Sequence, residues 1–274
     1  MSRLGLVWIA ETRKLFSRPS ARVALVVAAV LGALGPGAMR FVAGAGISVN
    51  GGDLALDVSA PNAVRWALVM RGFFVAQGFL ALLAIVSQAG ELQAHTLRED
   101  LARDVGRRTV LLAKWGALAM FAAAWLAVQW TVACMIGLAL HPATGGAAWA
   151  DVALGHVAAF ATDISFAAMA LAFAAVLRSP AAALLALLLG VVLDSFLGWI
   201  LWLARGFAVG NPDMPPSLTA IVSAGPYLPS AAWSVWSDVA SGSPGEAASW
   251  AALAGWTIVA LLVAERTFAR TDVP

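Results

Sequence analysis

Apolar residues in this chain come in long unbroken blocks rather than in the alternation of a half-buried strand. Six blocks are long enough to cross a hydrocarbon core of about 30 Å, which takes about 20 helical residues. They lie near Ala21–Arg40, Trp66–Ala89, Lys114–Leu140, Val152–Leu177, Ala181–Ala204 and Ala248–Ala264. A backbone in lipid must satisfy its own polar groups, so each block is expected to be a helix. The Ala- and Leu-rich composition does not suit the alternation of a barrel. The predicted fold class is all-α: a polytopic membrane protein of about six transmembrane helices, with residues 1–274 forming one domain.

Charge sharpens this picture. Only 12% of the 274 residues are charged and 61% are hydrophobic, with a mean hydropathy of +0.85. An ordinary soluble domain carries about twice that charged fraction. A net charge of +2, scattered along the chain, gives no reason to expect nucleic acid as a partner. The positions of the basic residues matter more. The N-terminal segment holds Arg3, Arg13, Lys14, Arg18 and Arg22, and the connection between spans two and three holds Arg98, Arg103, Arg107, Arg108 and Lys114. Arg178 lies between spans four and five, and Arg266 and Arg270 follow span six. The opposite side has Arg40, Arg65, Arg71 and Arg205. Thirteen against four is a positive-inside pattern that puts both termini in the cytoplasm, as an even number of spans requires. Trp66, Trp115, Trp149 and Trp250 sit at predicted span ends, where interfacial anchors belong. No cleavable signal peptide is evident, and Cys134 in an apolar run reads as an inert thiol.

Two polar segments on the cytoplasmic side have helical periodicity. Within residues 1–20, Glu11, Lys14 and Arg18 share one face while Leu4, Val7, Trp8 and Leu15 line another, which predicts a helix lying along the membrane interface. In residues 91–108, Thr96 and Glu99 have the spacing of a capping box, and Leu97, Leu101 and Val105 form an apolar stripe. Arg98, Glu99, Asp100, Arg103, Asp104 and Arg107 occupy the remainder, with Glu99–Arg103 and Asp104–Arg108 ordered as favourable ion pairs. Gly106 is a plausible stop. That stripe is too small for a core, so the helix is expected to dock on something. On the outer side, residues 41–64 are polar, whereas residues 205–247 set Pro212, Pro215, Pro216, Pro226 and Pro229 beside Tyr227, Trp233 and Trp236. The latter predicts short helices that re-enter the outer leaflet, shielded by protein.

Together these features resemble the type-2 ABC transporter permeases, the membrane subunits of ATP-driven exporters. Glu11-Thr-Arg-Lys14-Leu15 followed by Arg18-Pro19 resembles that family's E-x-x-K-L opening and basic lead-in. Glu91, Thr96-Leu97, Arg107-Arg108 and Lys114 resemble its loop between spans two and three, although His95 stands where the family usually has Gly. Arg270-Thr-Asp272 is similar to its tail. The resemblance implies a dimer with a second copy or a homologous permease, two copies of a separate ATPase, and a bacterial cytoplasmic membrane as the site. It also implies that residues 91–108 are the coupling helix seated in the ATPase, through Glu91, Thr96, Leu97, Glu99, Leu101, Arg103 and Val105. The 205–247 segment would be the family's re-entrant outer region. No G-x-x-x-x-G-K-[ST] loop occurs in the chain, so ATP hydrolysis is expected on another chain and this subunit is not expected to be an enzyme.

Asp163 and Asp194 fall near the middle of spans four and five, where a carboxylate is costly. His156, seven residues before Asp163, shares nearly the same face. These three are candidates for a substrate or proton pathway; the alternative is an Asp satisfied by nearby hydroxyls that ties helices together. No metal-ligand spacing links His141, His156 and the two Asp residues, and no metal or cofactor is expected. The mostly apolar interior suits an amphiphilic or hydrophobic substrate. Two rival functions remain: a proton-coupled secondary transporter or channel, and a membrane anchor for a cytoplasmic partner.

Overall fold

The structure is a computed structural model that describes residues 3–44, 48–49, 52–53, 59–70, 72–93, 106–141, 148–209, 225–229 and 247–270. Its helices are α1 (Arg3–Ser17), α2 (Pro19–Gly44), α3 (Ala60–Met70), α4 (Gly72–Ile85), α5 (Glu91–Gln93), α6 (Arg107–Leu140), α7 (Ala148–Leu177), α8 (Pro180–Val209) and α9 (Ala247–Ala269). A π-helical turn, Val86–Gly90, joins α4 to α5. Two two-residue strands, β1 (Ser48–Val49) and β2 (Gly52–Asp53), pair antiparallel. Six stretches are long and apolar enough to cross a membrane: Pro19–Val42, Val75–Gln93, Arg107–Leu140, Trp149–Leu177, Pro180–Leu201 and Ala247–Ala269. The all-α, six-span architecture expected from the apolar blocks is therefore present.

One continuous core joins the bundle, with Leu15 of α1, Ala28 of α2, Leu80 of α4, Phe121 and Trp125 of α6, Leu171 of α7, Leu187 of α8 and Leu253 of α9 all in it. The helices approach closely because small residues face one another, as they must where lipid gives no hydrophobic drive to helix association. At Gly35 the α2 backbone runs so near α3 that a Cβ would stand 2.2 Å from the Ala67 Cα. At Gly32 a Cβ would lie 2.6 Å from the Gln129 carbonyl oxygen of α6. Gln129 in turn donates from Nε2 to the Ala67 carbonyl oxygen at 2.7 Å, so α2, α3 and α6 are locked at one level. Pro36 lies inside α2 without ending it.

Several boundaries differ from the sequence expectation, each for a local reason. Among the described residues of the block predicted as one span from Trp66 to Ala89, helix runs in α3 up to Met70 and in α4 from Gly72. Val75–Gln93 is long and apolar enough to cross a membrane. The block's first part belongs to α3, where Pro61 favours a helix start and Ala60, Ala63, Val64 and Ala67 are fully buried. Span three begins at Arg107 rather than Lys114, because Gly106 is the extended N-cap of α6 and nothing interrupts helix thereafter. At 34 residues, α6 is roughly 50 Å long, well beyond the hydrocarbon thickness. Its first turns stay within the bundle, where Val110 and Leu111 bury against Ala168 and Ala175 of α7 and Ala260, Ala264 and Phe268 of α9. Trp115, predicted as an interfacial anchor, is half-buried and donates from Nε1 to the Ile164 carbonyl oxygen of α7 at 3.1 Å. Likewise α8 runs to Val209, five residues past the predicted end of span five; no proline follows before Pro212. Of the 205–247 segment, only this helix end, residues 225–229, with a 3-10 turn at Gly225–Tyr227, and Ala247 at the start of α9 are among the described residues.

The α7–α8 connection takes two residues. Arg178 adopts φ 54°, the left-handed C-terminal cap, and its N–H donates to the Ala174 carbonyl oxygen at 3.0 Å. Ser179 then caps α8, accepting from the Ala182 N–H at 3.4 Å, and Pro180 opens it. We expect Gly35→Ala to lower stability by about 1–3 kcal/mol, because overpacking against a backbone cannot be relieved by a rotamer change. Gly37→Ala, whose Cβ meets nothing within 4 Å, should be neutral. Thermal unfolding in detergent measures both, and equal midpoints would refute the close α2–α3 contact.

Candidate functional site: a buried ion cluster beneath the bundle

The helix pattern of α1 predicts a charged face turned to water. The structure turns it inward. Glu11 is buried, and its Oε2 accepts from the Lys114 Nζ of α6 at 2.8 Å. The same ammonium, only 1% exposed, also donates to Glu91 Oε2 at 2.5 Å. The other Glu91 oxygen, Oε1, receives Lys14 Nζ at 2.7 Å and Arg18 Nη2 at 3.3 Å. Lys14 reaches Glu11 as well, at 3.7 Å. Three cations and two carboxylates thus join α1, the residue before α2, α5 and α6.

Local structure delivers each member. Glu11, Lys14 and Arg18 recur at i, i+3 and i+7, one face of a helix. Lys114 lies two turns inside α6, so its ammonium meets Glu11 and Glu91 below the apolar stretch. Glu91 follows the π turn, whose extra residue rotates everything after it by roughly 100° about the helix axis and brings the carboxylate onto the bundle side. Trp8 packs on the helix at Gly116, where a Cβ would lie 3.0 Å from the indole. Phe16 meets Phe121 with ring centroids 5.6 Å apart. Leu4 and Leu6, near the start of α1, are exposed.

The electrostatics follow from burial. An isolated charge in such a place would cost several kcal/mol, and only mutual pairing with good geometry offsets it. Both carboxylates are satisfied by ammonium or guanidinium donors, giving short charge-assisted bonds. The cluster carries one excess positive charge, and the Arg18 Nη1 and the Thr12 hydroxyl are buried without a partner. A second set of ions closes the same end of the bundle. Arg107 donates to the Ala269 and Phe268 carbonyl oxygens at 2.7 and 3.3 Å, capping α9, and Arg108 meets Glu265 at 3.4 Å.

No protein-family model matches this chain, and no curated protein is similar to it. The site is therefore read from its own chemistry.

Of the coupling-helix residues picked from the sequence, Glu91 is placed in the cluster; Thr96, Leu97, Glu99, Leu101, Arg103 and Val105 lie outside the described residues. His156, Asp163 and Asp194 are separate from it. His156 bonds the Val152 carbonyl oxygen through Nδ1 at 2.8 Å and meets Trp130 edge-on at 4.3 Å. Asp163 is wholly buried in α7, and Asp194 is half-buried in α8. Asp163 precedes Arg178 by fifteen residues and Asp194 follows Ser179 by fifteen, so the antiparallel hairpin sets both at one depth. Between α4, α7 and α8, one turn from both, lies a cavity of about 80 Å³ lined by Gln77, Phe166 and Val191. His141, at the other end of the bundle, approaches the Pro36 carbonyl oxygen through Nε2 at 3.4 Å. Sequence reading missed the pairing of Glu11 with Lys114, for which a lysine at the head of a long apolar span was the available signal.

Lys114→Met should cost about 3–5 kcal/mol, since it leaves a buried carboxylate uncompensated. Adding Glu11→Gln should recover more than half of that loss. A double-mutant cycle from detergent unfolding measures the coupling, and simple additivity would refute the pairing.

Proposed function

We propose that this chain is the membrane-spanning permease subunit of an ATP-driven exporter of the type-2 ABC kind. In this reading it works as a dimer with two copies of a separate ATPase, in a bacterial cytoplasmic membrane with both termini inside. The observation that carries it is the ion cluster, which ties α1 and the head of the 94–105 connection to α6 through buried charge. A push on that connection then moves α1 and α6 as one body, because separating the ions would expose unpaired buried charge. The E-x-x-K-L run and the acidic residue after span two, which underlie the family resemblance, supply Glu11, Lys14 and Glu91 to this one cluster. The positive-inside pattern supports the orientation: Lys14, Arg18, Arg107, Arg108, Lys114, Arg178 and Arg266 gather at one end of the bundle. An apolar interior favours an amphiphilic or hydrophobic substrate.

Binding of ATP by the partner would close its two copies, carry the coupling segments inward and switch access of the space between the permeases. A second reading, a proton-driven carrier, draws on Asp163 and Asp194 at a common depth. Co-expression with genomic neighbours followed by purification in detergent should bring down a soluble ATPase with a Walker motif. Leu97→Asp with Leu101→Asp should reduce that recovery by roughly tenfold or more, the loss expected when a docking stripe is given buried charge. Unchanged recovery would sink the assignment of residues 91–108. Asp163→Asn and Asp194→Asn should leave ATP-driven export within about twofold, whereas the proton reading requires at least one to abolish transport.

A further inference from the structure

An apolar groove of about 330 Å³ runs between α7, α8 and α9. Its walls include Phe173, Val176 and Leu177 of α7, Ala186 of α8, and Trp256 and Val263 of α9, with no polar surface in the lining. It opens outward, since Val176, Leu177, Val259 and Val263 are among the exposed apolar residues. Three arginines mark its end. Arg178 directly follows Leu177, and Arg266 and Arg270 continue the Val259–Val263 face of α9 by one and two turns; all three are exposed. The neighbouring Glu265 is directed to Arg108.

Arg178 itself occupies a left-handed position where glycine is the usual residue and a side chain brings strain.

We propose that this groove binds one acyl chain of an anionic phospholipid, with the lipid phosphate held by Arg178 and Arg266 at the end of the bundle that carries the chain termini. The volume lies at the lower end of the range for small-ligand sites, about 300–1,000 Å³, which suits a single chain. Guanidinium groups match phosphate in a bidentate geometry. Charge decides between lipid and a second copy of the chain. A two-fold contact through this face would bring the arginines of both copies to the same side of the membrane, like charge near like charge, whereas a phosphate complements them. The inference concerns membrane lipid and is independent of the transport reading.

The test is native mass spectrometry of the detergent-purified chain titrated with dioleoyl phosphatidylglycerol or dioleoyl phosphatidylcholine. Phosphatidylglycerol should bind roughly tenfold more tightly. Arg178→Gln with Arg266→Gln should bring it down to the phosphatidylcholine level. Arg178→Gly separates strain from recognition: it should preserve or raise the unfolding temperature without lipid while reducing phosphatidylglycerol preference. Ala186→Phe, or Val263→Phe if the first does not fold, should reduce binding of both lipids by filling the chain slot. Equal affinity for the two lipids, or full binding by a folded filled-groove variant, would overturn the proposal. So would spontaneous disulfide dimerisation of Val259→Cys in a Cys134→Ser background, which would show a second copy on this face.

Discussion

The Lys114 ammonium, shut between Glu11 and Glu91, constrains this fold more than any other contact. A lysine at 1% exposure can remain in place as a cation only where carboxylates meet it, and here they come from two separate stretches of chain. Satisfying it dictates that α1 lie with its polar face toward α6. It also dictates that the second span turn through a π-helical register before Glu91. The unusual length of α6 belongs to the same arrangement, since its first turns must carry Lys114 clear of the apolar core and still cap α9 through Arg107.

Apolar run length alone made the six spans legible. The rise of a helix and the thickness of hydrocarbon leave few ways to house blocks of this size. What sequence periodicity could not supply was which neighbour a polar face meets. Glu11 and Lys114 are 103 residues apart, and nothing within either helix distinguishes a water-facing cluster from one facing a buried partner. The same limit explains Trp115, whose place near a predicted span end concealed a bond to the α7 backbone. Residues 60–65, outside the predicted spans, were misread for another reason. The α3 alanines look featureless in sequence, yet it is their small size that lets α3 enter against Gly35 and Gln129.

Small residues and buried ions divide the bundle between them. Toward the end opposite the termini, glycine and alanine allow backbone-to-backbone approach, and a side-chain amide bonds directly to a carbonyl. Toward the end that carries the termini, alanines of α7 and α9 still pack closely, and buried charged side chains join α1, α5 and α6. The first kind of contact loses much if anything shifts by an ångström, because dispersion falls steeply with separation. The second tolerates a change of rotamer as long as each charge keeps a partner, for Glu91 has three cations within reach.

The intramembrane carboxylates can be weighed by the same logic. The cavity beside Asp163 and Asp194, about 80 Å³, is far below the roughly 300 Å³ that begins to hold a small organic ligand. Water or a proton can occupy it; an amphiphile cannot without parting α4, α7 and α8. By contrast α8 buries only 17% of its apolar window, against 61% for the fourth span. Leu185, Leu189, Val192, Leu193, Phe196 and Trp199 all remain open on it. A route for small ions through this chain would therefore pass inside the hairpin, whereas a route for an apolar solute would have room only along its outer faces. The two functional readings thus call on different surfaces of the same two helices.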